Sequence, residues 1–368
     1  MEKVRAFLAR KNITFSAKRY FIDAMSAMAQ GLFCTLLVGT ILDTIGKQFG
    51  IGFLTDTFLT IKQGDVTFYY TIGGFCSLMV GPAMAVAIGK ALEAPPLVLF
   101  SLITVGFATN VLGGTGGPLA VFFVAILAAE VGKAISKETK IDILVTPIVT
   151  ILAGIGFAAL VARPIGTAAT SVGDAIKWAT ELQPFFMGIL VSVIIGVALT
   201  LPISSAAICA ALGLTGLAGG AAVAGCCAQM VGFAVMSFRE NRWGGLAAQG
   251  IGTSMLQMGN IVRNPRIWIP PTLASAITGP IATCIFRMEM NGAPVSSGMG
   301  TCGLVGQIGV YTGWVNDIAA GTKAAITGMD WLGLVLISFV LPAVLTWLIA
   351  IPLRKWGWIK EGDLKLDL

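Results

Sequence analysis

The chain has 368 residues, of which 56% are hydrophobic and only 11% charged, and its mean hydropathy is +0.87. Soluble domains carry roughly 25% charge, so a soluble globular protein is excluded and a polytopic membrane protein is expected. The net charge of +6 gathers at the two ends, where it would orient the chain in a bilayer, so membrane lipid and not nucleic acid is the expected partner.

Lys3, Arg5, Arg10, Lys11, Lys18 and Arg19 precede the first apolar run, and Arg354, Lys355 and Lys360 follow the last. Both ends are therefore expected in the cytoplasm, with an even number of crossings. Residues 1–18 read as an amphipathic interfacial segment, with Val4, Phe7, Leu8 and Ile13 among the basic residues. The first apolar run, from near Tyr20, is too long for a cleavable signal.

The first span is expected over about 20–45, with Asp23 near its start pairing with Lys18 or Arg19. A polar loop with Asp56, Lys62 and Asp65 follows, then spans over about 67–92, 97–112 and 118–133. GPAMAVAIGKALEA from Gly81 and GPLAVFFVAILAAEVGK from Gly117 form a repeat. Each opens with Gly-Pro, as a helix start would, and ends near a glutamate and a lysine. Residues 110–117 (NVLGGTGG) are too glycine-rich for a regular helix. Asn110 and Thr115 could donate to a ligand there, or the stretch is a tight turn.

A fifth span is expected over about 141–162, leaving the membrane at Arg163-Pro164, with a polar segment to Glu181 outside. After a sixth span over about 184–201 comes LPISSAAICAALGLTGLAGG. Further on, Arg287 to Gly313 reads RMEMNGAPVSSGMGTCGLVGQIGVYTG. Pro202, Ser204 and Ser205 of the first correspond to Pro294, Ser296 and Ser297 of the second. Cys209 and Cys302, then Gly213 and Gly306, extend the match. In each, the proline stops one helix and the serines suit the start of another. Backbone that leaves its helix at membrane depth must face protein or a water-filled cavity, so both are read as discontinuous elements lining a binding site. Glycine-mediated close packing of helices is the alternative.

Arg239, Arg242, Arg263 and Arg266 argue for the cytoplasmic side, so residues 202–238 would cross out and back. The next span, about 267–287, then runs outward, and the two Pro-x-Ser-Ser elements approach the membrane middle from opposite faces, as in inverted-repeat transporters. The last span, about 331–352, is flanked by Trp331, Trp347, Trp356 and Trp358, which suit interface anchoring. The expected fold is an all-α polytopic membrane protein with internal repeats, about ten transmembrane helices and two discontinuous elements. Eight crossings plus two hairpins fit equally.

An ionisable residue at membrane depth costs about 2.5–3.5 kcal/mol, so it needs a partner or a task. Arg287 and Glu289 are the leading candidates, either contacting solute or closing the span as an ion pair. Asn291, Ser296, Ser297, Gln307, Ser204 and Ser205 add neutral donors and acceptors, the serines also as helix caps. Exposed N–H groups at helix starts favour an anionic or strongly hydrogen-bonding guest. The chain has no histidine, and its seven cysteines fall in apolar or glycine-rich runs as small fillers. No catalytic residue, metal or cofactor is expected.

The run QMGNIVRNPRIWIPPTLASAITGPIATCIFRMEM, followed by NGAPVSSGMGTCGLVGQIG, and the earlier GGTGGPLAV resemble the EIIC type 2 family of the phosphotransferase system, also known for the perfringolysin O regulator. The resemblance spans nearly the whole chain. It implies a bacterial inner-membrane permease domain, homodimeric, binding a sugar-like solute and serving separate IIA and IIB proteins that carry the phosphoryl group. Glucose-type permease domains use a histidine and a glutamate near the substrate; here Glu289 is a loose counterpart of the glutamate and the histidine has none. The expected organisation is a cytoplasmic segment over 1–18, a transporter domain over 19–353 and a cytoplasmic tail over 354–368. The function read from these features is translocation of a small polar, sugar-like or anionic solute by alternating access. A membrane sensor without transport is the alternative.

Overall fold

Inside a bilayer a backbone must satisfy its own hydrogen bonds, and apolar runs of this length therefore coil. The computed structural model of the protein describes residues 2–63, 66–180 and 182–366. Asp65 of the expected polar loop and Glu181 of the expected outer segment lie outside the described residues. The architecture is all-α; among the described residues the strands form one hairpin, Leu59–Gln63 pairing antiparallel with Val66–Tyr70. The span expected from residue 67 therefore begins later. The β-branched and aromatic run VTFYY is better matched to a strand.

Five helical stretches among the described residues are long and apolar enough to cross a membrane: Arg19–Lys47, Pro96–Ile135 (two helices joined at Gly114), Asp142–Thr180, Gly216–Met236 and Gly328–Lys355. A sixth is the pair Ile72–Leu78 and Val80–Ala91, bent by 49°, and Pro184–Thr200 is apolar but shorter. The chain divides into two compact units, Met1–Gly39 with Thr57–Ala169, and Thr40–Asp56 with Thr170–Leu368.

In the first unit Val80–Ala91, Pro96–Gly113 and Gly117–Ile135 pack side by side. Residues 110–113 stay helical, contrary to the expectation for NVLGGTGG; the chain turns only at Gly114, whose φ of 53° and ψ of −124° suit glycine alone. Of the two Gly-Pro repeats, only the second turns its lysine inward. Lys133 is buried beside Glu130 (3.1 Å) and donates to the carbonyls of Asn12 (2.7 Å) and Leu92 (2.9 Å). Arg19 donates to those same two carbonyls, at 3.0 and 2.6 Å.

Asp142–Thr180 runs unbroken for 39 residues through Pro147 and Pro164, where an exit was expected at Arg163-Pro164. A proline deletes one backbone bond and its fixed φ is helical, so a long helix can absorb it.

The second unit is built around Gly216–Met236, which is buried along almost its whole length. Pro184–Thr200, Ile269–Pro280 and Leu341–Lys355 pack around it. Residues 358–366 dock on a set of side-chain amides. Asn241 and Gln257 donate to the Leu364 carbonyl (2.7 and 3.0 Å), Asn260 to that of Lys365 (2.9 Å) and Asn264 to that of Trp358 (2.8 Å). Leu364 is fully buried there.

Candidate functional site

Both Pro-x-Ser-Ser elements interrupt their helices, but differently. Ser204 caps the short helix Ser205–Ala211, accepting from the Ala207 N–H at 3.2 Å. Pro294–Gly298 forms only a 3-10 turn, and the next α-helix begins at Val305, not at Ser296. The two elements touch directly. Ser205 Oγ donates to the Gly298 carbonyl (2.8 Å) and Ser297 Oγ to that of Leu214 (2.7 Å). Ser296 is buried as well. Gln307 Nε2 reaches Cys227 Sγ at 3.3 Å, while its buried Oε1 has no hydrogen-bond partner among the described residues. Asn110 and Thr115 belong to the first unit, where the buried Thr115 hydroxyl likewise lacks a partner among the described residues.

The residues ahead of Pro294 form the more open feature. After Ile281–Ile285 the helix ends, and beyond Arg287 the chain runs extended through Met288–Asn291. Side chains on an extended chain alternate, so Met288 and Met290 are buried while Arg287 and Glu289 are exposed on the other side. Arg287 takes a left-handed φ of 45° as the chain leaves the helix. Met290 and Gly216 exchange backbone hydrogen bonds of 3.1 and 3.0 Å, an isolated antiparallel bridge to the start of the central helix. Gly220 makes this approach possible, because a Cβ there would lie 1.7 Å from the Met288 carbonyl oxygen.

Asn291 ties the arrangement together. Its Nδ2 donates to Glu289 Oε2 (3.1 Å) and Asp317 Oδ2 (2.9 Å), and its Oδ1 accepts from Gly216 N–H (3.0 Å). The opposite amide orientation would aim the oxygen at two carboxylates, so this one is fixed by its partners. A cleft of about 390 Å³ opens here, lined by Arg287, Glu289 and Asn291 together with Trp314, Asp317 and Thr322, and by Lys323 and Asp330. Lys323 Nζ pairs with Asp330 Oδ1 at 2.8 Å and stands 6.0 Å from the Trp314 ring centre. Trp314 is 4% exposed and meets Trp331 edge to face at 5.5 Å.

Arg287, Glu289 and Asn291 are thus brought together. Arg287 and Glu289 form no ion pair with each other; Glu289 is held by Asn291. Trp314, Asp317, Thr322, Lys323 and Asp330 complete the cleft without having been anticipated as site residues. Asp317 and Lys323 were visible as polar residues following the second motif, but helix Val305–Ala319, which carries Asp317 back to Asn291, has no sequence signature pointing there.

A family model described as phosphotransferase system, EIIC matches residues 22–366. The chain belongs to this EIIC family. It is accordingly a multi-pass membrane component of a sugar phosphotransferase transport system. No curated protein and no solved structure matches it.

Proposed function

We propose that this EIIC protein binds and translocates a small neutral, polyhydroxylated solute, and that the cleft beside Asn291 is its recognition site. One observation carries the reading: the segment that follows the helix end lines one cleft with Arg287, Glu289 and Asn291, and Asn291 bonds Asp317 across it. Each carboxylate uses one oxygen on the shared amide and keeps acceptor capacity for hydroxyl groups. Lys323 and Asp330 neutralise one another, which leaves one guanidinium against two carboxylates. That balance favours a sugar over an anion. Trp314 supplies an apolar wall, and the volume lies within the roughly 300–1,000 Å³ of small-molecule sites. The serines and Gln307 are proposed to build the scaffold beneath this cleft.

Translocation is proposed to proceed by alternating access in a homodimer with cytoplasmic termini, and separate IIA and IIB proteins are proposed to supply the phosphoryl group. The test is a screen of sugars against the purified protein, read by thermal stabilisation. At least one sugar should raise the melting temperature of the wild type, and Glu289→Gln and Asp317→Asn should each weaken that response more than tenfold while melting normally without sugar. If both variants respond as the wild type does, the site lies elsewhere.

A further inference from the structure

A second cavity, of about 550 Å³, lies at the other end of the central helix. Val235 and Met236 close the Gly216–Met236 span, and Ala350, Ile351, Arg354 and Lys355 close the Leu341–Lys355 helix; the cavity lies between these two ends. Phe238, Leu246 and Trp347 add apolar wall, and Arg239 joins Arg354 and Lys355 to make three cations on its lining. Arg354 is held in place: it pairs with Glu240 (3.2 Å) and donates to the Met236 carbonyl (2.9 Å). Glu240 itself does not line the cavity. Arg239 and Lys355 are exposed and make no ion pair among the described residues. Trp347, 54% exposed, lines the cavity; Trp243, 73% exposed, packs on the lining residue Phe238, and Trp356, 66% exposed, follows Lys355, as tryptophans do where hydrocarbon meets water.

We propose that this cavity binds an anionic phospholipid, its phosphodiester against Arg239, Arg354 and Lys355 and an acyl chain along Phe238, Leu246, Trp347 and Ile351. The commitment to lipid rests on the combination. Unpaired cations alone would suit a free phosphate, and apolar wall alone would suit any bilayer chain. Cations placed at the ends of membrane-spanning helices above an apolar trough suit an amphiphile of opposite charge. This site is separate from the solute cleft and does not depend on how that cleft is read.

The experiment titrates delipidated full-length protein in neutral detergent with phosphatidylglycerol, and follows the melting temperature. Phosphatidylcholine with the same chains and inorganic phosphate serve as the comparison arms. Phosphatidylglycerol should raise the melting temperature saturably, and neither comparison should. The R239Q/K355Q double variant removes two exposed, unpaired charges and should require about 25-fold more lipid, at about a factor of five for each juxtamembrane cation. Ile351→Trp fills the trough, leaves the cations intact and should remove the response. The proposal is overturned if phosphatidylcholine or inorganic phosphate reproduces the rise. It is equally overturned if either variant saturates at the wild-type concentration.

Discussion

Arg287 combines two properties that pull apart under mutation. Its guanidinium faces the cleft, and its backbone sits at a φ of 45°, which an L-residue with a side chain adopts at a cost of about 1–3 kcal/mol. Replacing it by glycine removes the cation and relieves the backbone together. Arg287→Gly should therefore melt within about 1 kcal/mol of the wild type, since the relief is offset by the greater freedom of glycine in the unfolded chain. Sugar-induced stabilisation should fall at the same time. A variant that unfolds early, or that binds normally, would show the residue to be structural. Asn291 differs in kind, because every hydrogen-bonding group of its side chain is already committed within the fold.

At the scale of elements, the extended segment lies on the central helix through a contact that only glycine permits. Gly220→Ala would drive a methyl into the Met288 carbonyl, and neither backbone can withdraw freely. A loss of about 1–3 kcal/mol is expected from such overpacking, together with loss of sugar response as Glu289 shifts. Denaturation of the purified variant with and without sugar would measure both. Ser297→Ala makes the contrasting case. It leaves the buried Leu214 carbonyl short of a donor and should cost about 1–3 kcal/mol, while sugar affinity stays within twofold, which isothermal titration would read.

These two elements also show what the residues disclosed in advance. Pro202 and Ser204 marked the first helix break from local chemistry alone; at the second, the helix ends at Ile285, ahead of Pro294, and the next α-helix starts at Val305 and not at the serines. Arg-Met-Glu-Met-Asn carries a period-two alternation of charged and apolar residues, the mark of an extended strand, but in a chain this apolar it is easily taken for a broken helix. What no local pattern holds is the partner across the gap. Asp317 meets Asn291, and Ser205 meets Gly298, through helices brought together by packing from distant parts of the chain. For the same reason Arg163-Pro164 misleads. It has the local look of a helix end, yet the helix runs on to Thr180.

At the scale of the whole molecule, the described helices and family membership make this a membrane part of a larger transport system. The coupling proposed here is open to direct measurement. Sugar accumulation in vesicles carrying the protein should require phosphoenolpyruvate and the soluble phosphotransferase proteins together, and should yield sugar phosphate inside. Accumulation of unmodified sugar without them would identify a plain transporter, and tight binding with no flux would identify a sensor.

The amides of Asn241, Gln257, Asn260 and Asn264 grip the backbone of residues 358–366. A stretch held mainly by its carbonyls behaves as a stitched seam, to which the buried Leu364 side chain and the Asp363 carboxylate add side-chain anchors. Cutting the chain before Trp358 would take the acceptors from the Asn241 and Asn264 amides, while Gln257 and Asn260 would keep only their bonds to Gln249 and Gln257. Purification handles are better placed at the opposite terminus.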